Sequence, residues 1–180
     1  MSRKKLQIDI ETFSDVDLVN CGVYRYVEGD FHILLFAYAF DDEEVQCVDL
    51  ACGEQLPQDV VDALHDSSII KTAWNAQFER TCLSKYLGTQ LSPDDWQCTM
   101  VWAASLSLPL KLKFAALALK TGEQKDDVGE RLIRYFSIPC FLQFSCAHFR
   151  GTISADRRHS QICDGHAPEH SGCIHRHFYR

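Results

Sequence analysis

The chain has 180 residues, a formal net charge of −7, 46% apolar and 24% charged residues. That composition supports a globular domain with a real core and excludes disordered, collagen-like and membrane-embedded classes. No apolar run approaches the ~20 residues that a membrane span needs. Met1–Lys5 is basic, but Asp9 and Glu11 interrupt the apolar stretch after it, so no signal peptide is read and a cytoplasmic location is expected. The nine Cys are an odd number with no Cys-x-x-Cys pair, which argues for reduced, mostly buried thiols.

In chain order, Lys5–Ile10 alternates Leu6, Ile8 and Ile10 and predicts a strand. His32–Phe40 is a near-continuous apolar run suited to a central strand. Glu44–Leu50 alternates and predicts a third strand, joined to the second by a turn at Asp41-Asp42. Pro57–His65 predicts a helix with Val60, Val61 and Leu64 inward. Ser68–Ala73 is a short strand; Asn75 is placed to cap a helix over Ala76–Leu87, which Gly88 stops. Trp96–Met100 fits a fifth strand or a helix entry. Lys111–Lys120 and Asp127–Phe136 predict two more helices. This order implies an α/β domain with a mixed sheet, part hairpin-connected and part parallel.

Composition changes near Cys140. Residues 1–140 carry 22 acidic and 13 basic side chains, a net of −9; residues 141–180 carry 3 and 5, a net of +2, with six of the eight His. An acidic body is not drawn to nucleic acid by charge alone, although bound divalent cations reverse the local field.

Two carboxylates stand out. Asp9 and Glu11, two apart on a strand, share a face and can hold Mg²⁺ or Mn²⁺; the same spacing also suits an ordinary strand end. The further Asp-x-Glu pairs at 41/43 and 42/44 read as a solvated turn. Glu79 falls in the first turn of a helix, where the dipole favours an anion whether or not a metal is held.

Five blocks in order carry a resemblance: LQIDIETFSDVDLVNCGVYRYVE (6–28), HILLFAYAFDDEEVQCVDL (32–50), IIKTAWNAQFERTCL (69–83), WQCTMVWAASLSLP (96–109) and GERLIRYFSIPC (129–140). Together they resemble the 3′–5′ proofreading exonuclease domain of bacteriophage-type family A DNA polymerases. Those domains are DEDD exonucleases of the ribonuclease H-like fold. The resemblance implies a mixed central sheet with flanking helices. It also implies two-metal hydrolysis of 3′-terminal phosphodiester bonds in single-stranded DNA, with Mg²⁺ or Mn²⁺ and neither a membrane nor a small-molecule cofactor. Asp9 and Glu11 match the first motif and are the implied ligands of both metals. Glu79 matches the second, where many relatives have Asp. Thr12 and Phe13 are implied contacts of the terminal nucleotide, with Asn75 and Phe78 beside Glu79. Tyr24, Arg25 and Tyr26 are candidate contacts of the strand or members of a solvated loop.

The third family motif, Tyr-x-x-x-Asp, is absent downstream of Glu79. Residues 1–140 are therefore expected to form an incomplete exonuclease-like domain. Residues 141–180 read as an unrelated His/Arg-rich tail, disordered or out of frame, with the polymerase domain absent from this chain. Within the tail, His159 and Asp164 have the His-x-x-x-x-Asp spacing of a sister branch, and Cys163, His166, His170 and Cys173 have Zn²⁺-like spacing. The alternative to an active exonuclease is an inactive prophage remnant that at most binds nucleic acid.

Overall fold

A computed structural model describes residues 4–121, which lie within one compact unit. The helix expected at 127–136, and the tail with His159, Asp164 and the Cys/His pairs, lie outside the described residues.

Strand β1 (Lys5–Phe13) runs three residues further than its apolar alternation marked. Leu6, Ile8, Ile10 and Thr12 are buried on one face, while Lys5, Gln7 and Asp9 are exposed on the other. Helix α1 (Leu18–Tyr26) comes next. The Asp17 carboxylate caps it, accepting from the N–H groups of Val19 and Asn20. Gly22, at φ 73°, kinks it midway. Strands β2 (His32–Phe40) and β3 (Gln46–Asp49) form the expected hairpin. At its turn Asp41 accepts from Lys5 N–H at 2.8 Å, tying the hairpin back to β1.

Helix α2 (Gln58–His65) buries Val60, Ala63 and Leu64; Val61, expected inward, is only half-buried. Strand β4 (Ile70–Ala73) leads into α3 (Ala76–Leu87), which stops at Gly88 in the left-handed region, φ 67°. Trp96–Met100 resolves into both readings, strand β5 (Trp96–Cys98) and then α4 (Thr99–Ser105). Helix α5 (Leu112–Leu119) closes the described chain and fully buries only Ala115.

The sheet order is β3-β2-β1-β4-β5. β1 is antiparallel to β2 and parallel to β4, and β5 extends the parallel half. β1 is thus central, and the core gathers Leu6, Ile8 and Ile10 with Phe36, Leu64, Cys82 and Leu83. Among the described residues no helix is long and apolar enough to cross a membrane.

The segment between β1 and β2 is keyed by a buried serine. Ser14 Oγ donates to the Tyr26 carbonyl at 2.7 Å, and Asp15 accepts from Asp30 N–H at 2.7 Å. A Cβ on Gly29 would stand 2.7 Å from Val16 Cγ2 and 2.9 Å from Ser14 Oγ, and would crowd the Asp15 carboxylate. Gly29→Ala should therefore cost about 1–3 kcal/mol, read as a lowered midpoint in urea denaturation.

Candidate active site

The register of β1 builds the site. Asp9 lies opposite Ala37, which lies opposite Cys47, so the three form a row across one face. Glu11, two residues on, is half-buried on that face opposite Leu35. The pairing then slips: Thr12 meets Ile33, leaving Leu34 as the extra residue of a bulge. Bulges bend a strand and re-aim its side chains, and this one sits directly after the second carboxylate.

Thr12 departs from expectation. Its side chain is on the buried face, 2.9 Å from the Tyr26 hydroxyl. Tyr26 is correspondingly a core residue, its ring against Phe31 and Phe78, and not a surface contact for a strand. Burial pushes its phenol up to about 12. Phe13 remains on the carboxylate face, where its ring stacks on His32 with centroids 6.4 Å apart and planes 28° apart. Tyr24 is exposed and accepts a hydrogen bond from Gln77 at 3.1 Å. Arg25 is exposed and pairs with Glu28.

The second block is placed by a tight strand-to-helix junction. Asn75 adopts the left-handed conformation, φ 77° and ψ 46°, which Asn tolerates better than most residues. Its carbonyl accepts from Phe78 N–H at 2.7 Å, but its side chain makes no cap hydrogen bond, contrary to expectation. Phe78 is half-buried with its ring 6.1 Å from that of Tyr26, which anchors the first turn of α3.

Glu79 in that turn is the most perturbed acid described. It is 4% exposed, and its Oε2 has no hydrogen-bond partner. Burial pushes its carboxyl up to about 8; its own backbone N–H opposes this, and the charges of Asp9 and Cys98 add to the rise. A buried carboxyl with an orphaned oxygen beside a second carboxylate is what a bound cation would neutralise.

Cys98 carries no motif in the sequence, yet the structure places it beside this junction. Burial raises its pKa, but backbone N–H groups of Val101, Ala76, Asn75 and Met100 outweigh this, and the thiol titrates below its ordinary value. The available signal was a Cys at the junction of a short strand and a helix start.

The donors fit a hard divalent cation in type, being carboxylate oxygens with one buried and orphaned. Among the described residues, however, no three His, Cys, Asp or Glu groups gather closely enough to hold a metal ion. Asp9 and Glu11 share a face, and Asp9 is electrostatically coupled to Glu79.

No family model matches the sequence. Over 138 residues the chain is 57% identical to a DNA polymerase of Bacillus phage SP02, covering 76% of this chain and 21% of that protein. The chain therefore spans about a fifth of that relative's length. Among solved structures, Trypanosoma brucei RNase D in complex with RNA U12 matches at TM-score 0.51 and 17% identity, over 88% of this chain and 53% of that one. Escherichia coli RNase D matches at TM-score 0.50 and 16% identity, over 71% and 30%. Brucella melitensis NrnC bound to pGG matches at TM-score 0.50 and 19% identity, over 68% and 56%. At these identities the structures speak for the fold, and the mixed five-stranded sheet agrees with them. Over 76% of its length the chain is thus kin to a phage DNA polymerase, and its fold is the ribonuclease H-like fold that it shares with RNase D.

Proposed function

We propose that the chain acts on the 3′ end of single-stranded DNA, hydrolysing the terminal phosphodiester bond with Mg²⁺ or Mn²⁺. The observation that supports this most is Glu79, buried with an unpartnered oxygen and coupled to Asp9. Asp9, Glu11 and Glu79 would each supply a ligand to the cations, short of a complete set among the described residues. Bound there, the cations supply an activated water and charge stabilisation at the leaving 3′-oxygen. The chain's own residues do the positioning. Phe78 and Tyr26 fix the turn that carries Glu79, and the bulge after Glu11 aims the end of β1. Phe13 offers a ring to the terminal base, whereas Thr12 acts through Tyr26 and not by direct contact. Asn75, exposed at the start of α3, is the remaining candidate for contact with the strand.

A second reading, an inactive relative that at most binds nucleic acid, draws on the lack of a three-group cluster among the described residues. The two separate in one assay, shortening of a 5′-labelled single-stranded oligonucleotide with Mg²⁺ or Mn²⁺. Activity that falls on the order of a hundredfold or more in Asp9→Ala supports the exonuclease. No shortening from folded protein supports the second reading.

A further inference from the structure

His32 belongs to two places at once. On the carboxylate face it stacks on Phe13, the residue across from it in the β1–β2 register and two residues past Glu11. It also lines a cleft of about 340 Å³ together with Phe31, Glu54, Lys85 and Tyr86. That volume is at the lower end of the ~300–1,000 Å³ of small-ligand sites. The Asp30 carboxylate, 3.0 Å from His32 Nε2, fixes the ring that joins them.

The lining has the chemistry of a single-strand site. Such sites combine aromatic faces, on which any base can stack, with cations along the backbone. His32 and Tyr86 supply two rings, both exposed at the surface, and Lys85, next to Tyr86 at the end of α3, supplies an ammonium. The one acidic wall, Glu54, has an oxygen committed to the Asp49 N–H at 2.7 Å. Neither β2's first residue nor α3's last turn takes part in the carboxylate chemistry proposed above.

We infer that the cleft of His32, Lys85 and Tyr86 is a second nucleotide subsite, holding a base upstream of the 3′ end by stacking and its phosphate by charge. This rests on the exonuclease reading for the direction in which the strand lies. The subsite itself depends only on single-strand binding, so the two can fail separately.

The test is fluorescence anisotropy of the full chain with 5′-labelled thymidine dinucleotide and octanucleotide in EDTA, where no hydrolysis occurs. His32→Ala and Tyr86→Ala should each weaken the octanucleotide roughly five- to a hundredfold, and Tyr86→Ala, which leaves the stack of His32 on Phe13 intact, should leave the dinucleotide unchanged. His32→Phe should keep near wild-type affinity, since it retains a stacking face. Lys85→Gln should weaken the octanucleotide and flatten its salt dependence. Octanucleotide affinity unaltered by His32→Ala and Tyr86→Ala, or no binding by the wild type, overturns the subsite. Binding that depends on both rings in a protein without hydrolysis keeps the subsite and removes the exonuclease reading.

Discussion

Glu79→Gln is expected to make the protein more stable at pH 8 and to flatten its stability between pH 5 and pH 8. Burial raises the folded-state pKa of Glu79 from 4.5 to about 8. Between those values the folded protein keeps a proton that the unfolded chain releases. Stability therefore falls as pH rises through the window: the favourable contribution is present below about pH 4.5 and lost above about pH 8. At 1.36 kcal/mol per unit, the penalty at pH 8 is on the order of a few kcal/mol. Gln keeps the shape and carries no charge, so the variant escapes the penalty. Urea denaturation at half-unit steps of pH checks this. Wild type should lose stability toward pH 8 while Glu79→Gln stays level; parallel curves would contradict the assignment. Mn²⁺ at pH 8 should stabilise wild type more than Glu79→Gln, which keeps only the Asp9 and Glu11 carboxylates to meet a cation.

The second large effect lies away from the site. Lys71 on β4 is completely buried and pairs with the carboxylate of Asp95, itself 8% exposed. Its ammonium also donates to the carbonyls of Asp66 at 2.8 Å and Ile69 at 3.2 Å. This one side chain thus ties together the loops that lead into β4 and β5, and the other Asp95 oxygen has no partner. Removing the cation leaves a buried, uncompensated carboxylate. Lys71→Met should cost about 3–5 kcal/mol, a large share of the ~5–15 kcal/mol that holds a domain together. The double variant Lys71→Met/Asp95→Leu should recover most of it, since exchanging a buried pair for apolar groups is often neutral. Equal instability of single and double variants would mean that packing, and not the stranded charge, sets the cost.

The elements most legible in the sequence were those whose burial is periodic. Leu6, Ile8 and Ile10 marked β1, and the run His32–Phe40 marked β2 in full. Helix α1 was missed because Gly22 breaks it and only Tyr26 within it is fully buried, so no stripe repeats. That miss made Tyr26 look like a surface residue. The burial of Thr12 went unread for a different reason. Its place after Asp9 and Glu11 suggested chemistry, yet the period of two that buries Leu6, Ile8 and Ile10 puts Thr12 on the same inward face. Asn75 was placed correctly at the start of α3, but its backbone conformation, and not its side chain, makes the junction. Of the candidate site, only the shared strand face of Asp9 and Glu11 could be read from spacing. The perturbation of Glu79 could not, because it arises from burial and from Asp9, distant in sequence. His32 and Tyr86 carry no motif and meet only through the fold.

The proposal requires Asp9 and Glu79 to belong to one set of cation ligands. Calorimetric titration of Mn²⁺ into wild type, Asp9→Asn and Glu79→Gln at pH 8 tests it most directly. Wild type should bind, and each variant should bind at least roughly tenfold more weakly, a difference of about 1.4 kcal/mol. Equal affinity in all three proteins would contradict the claim.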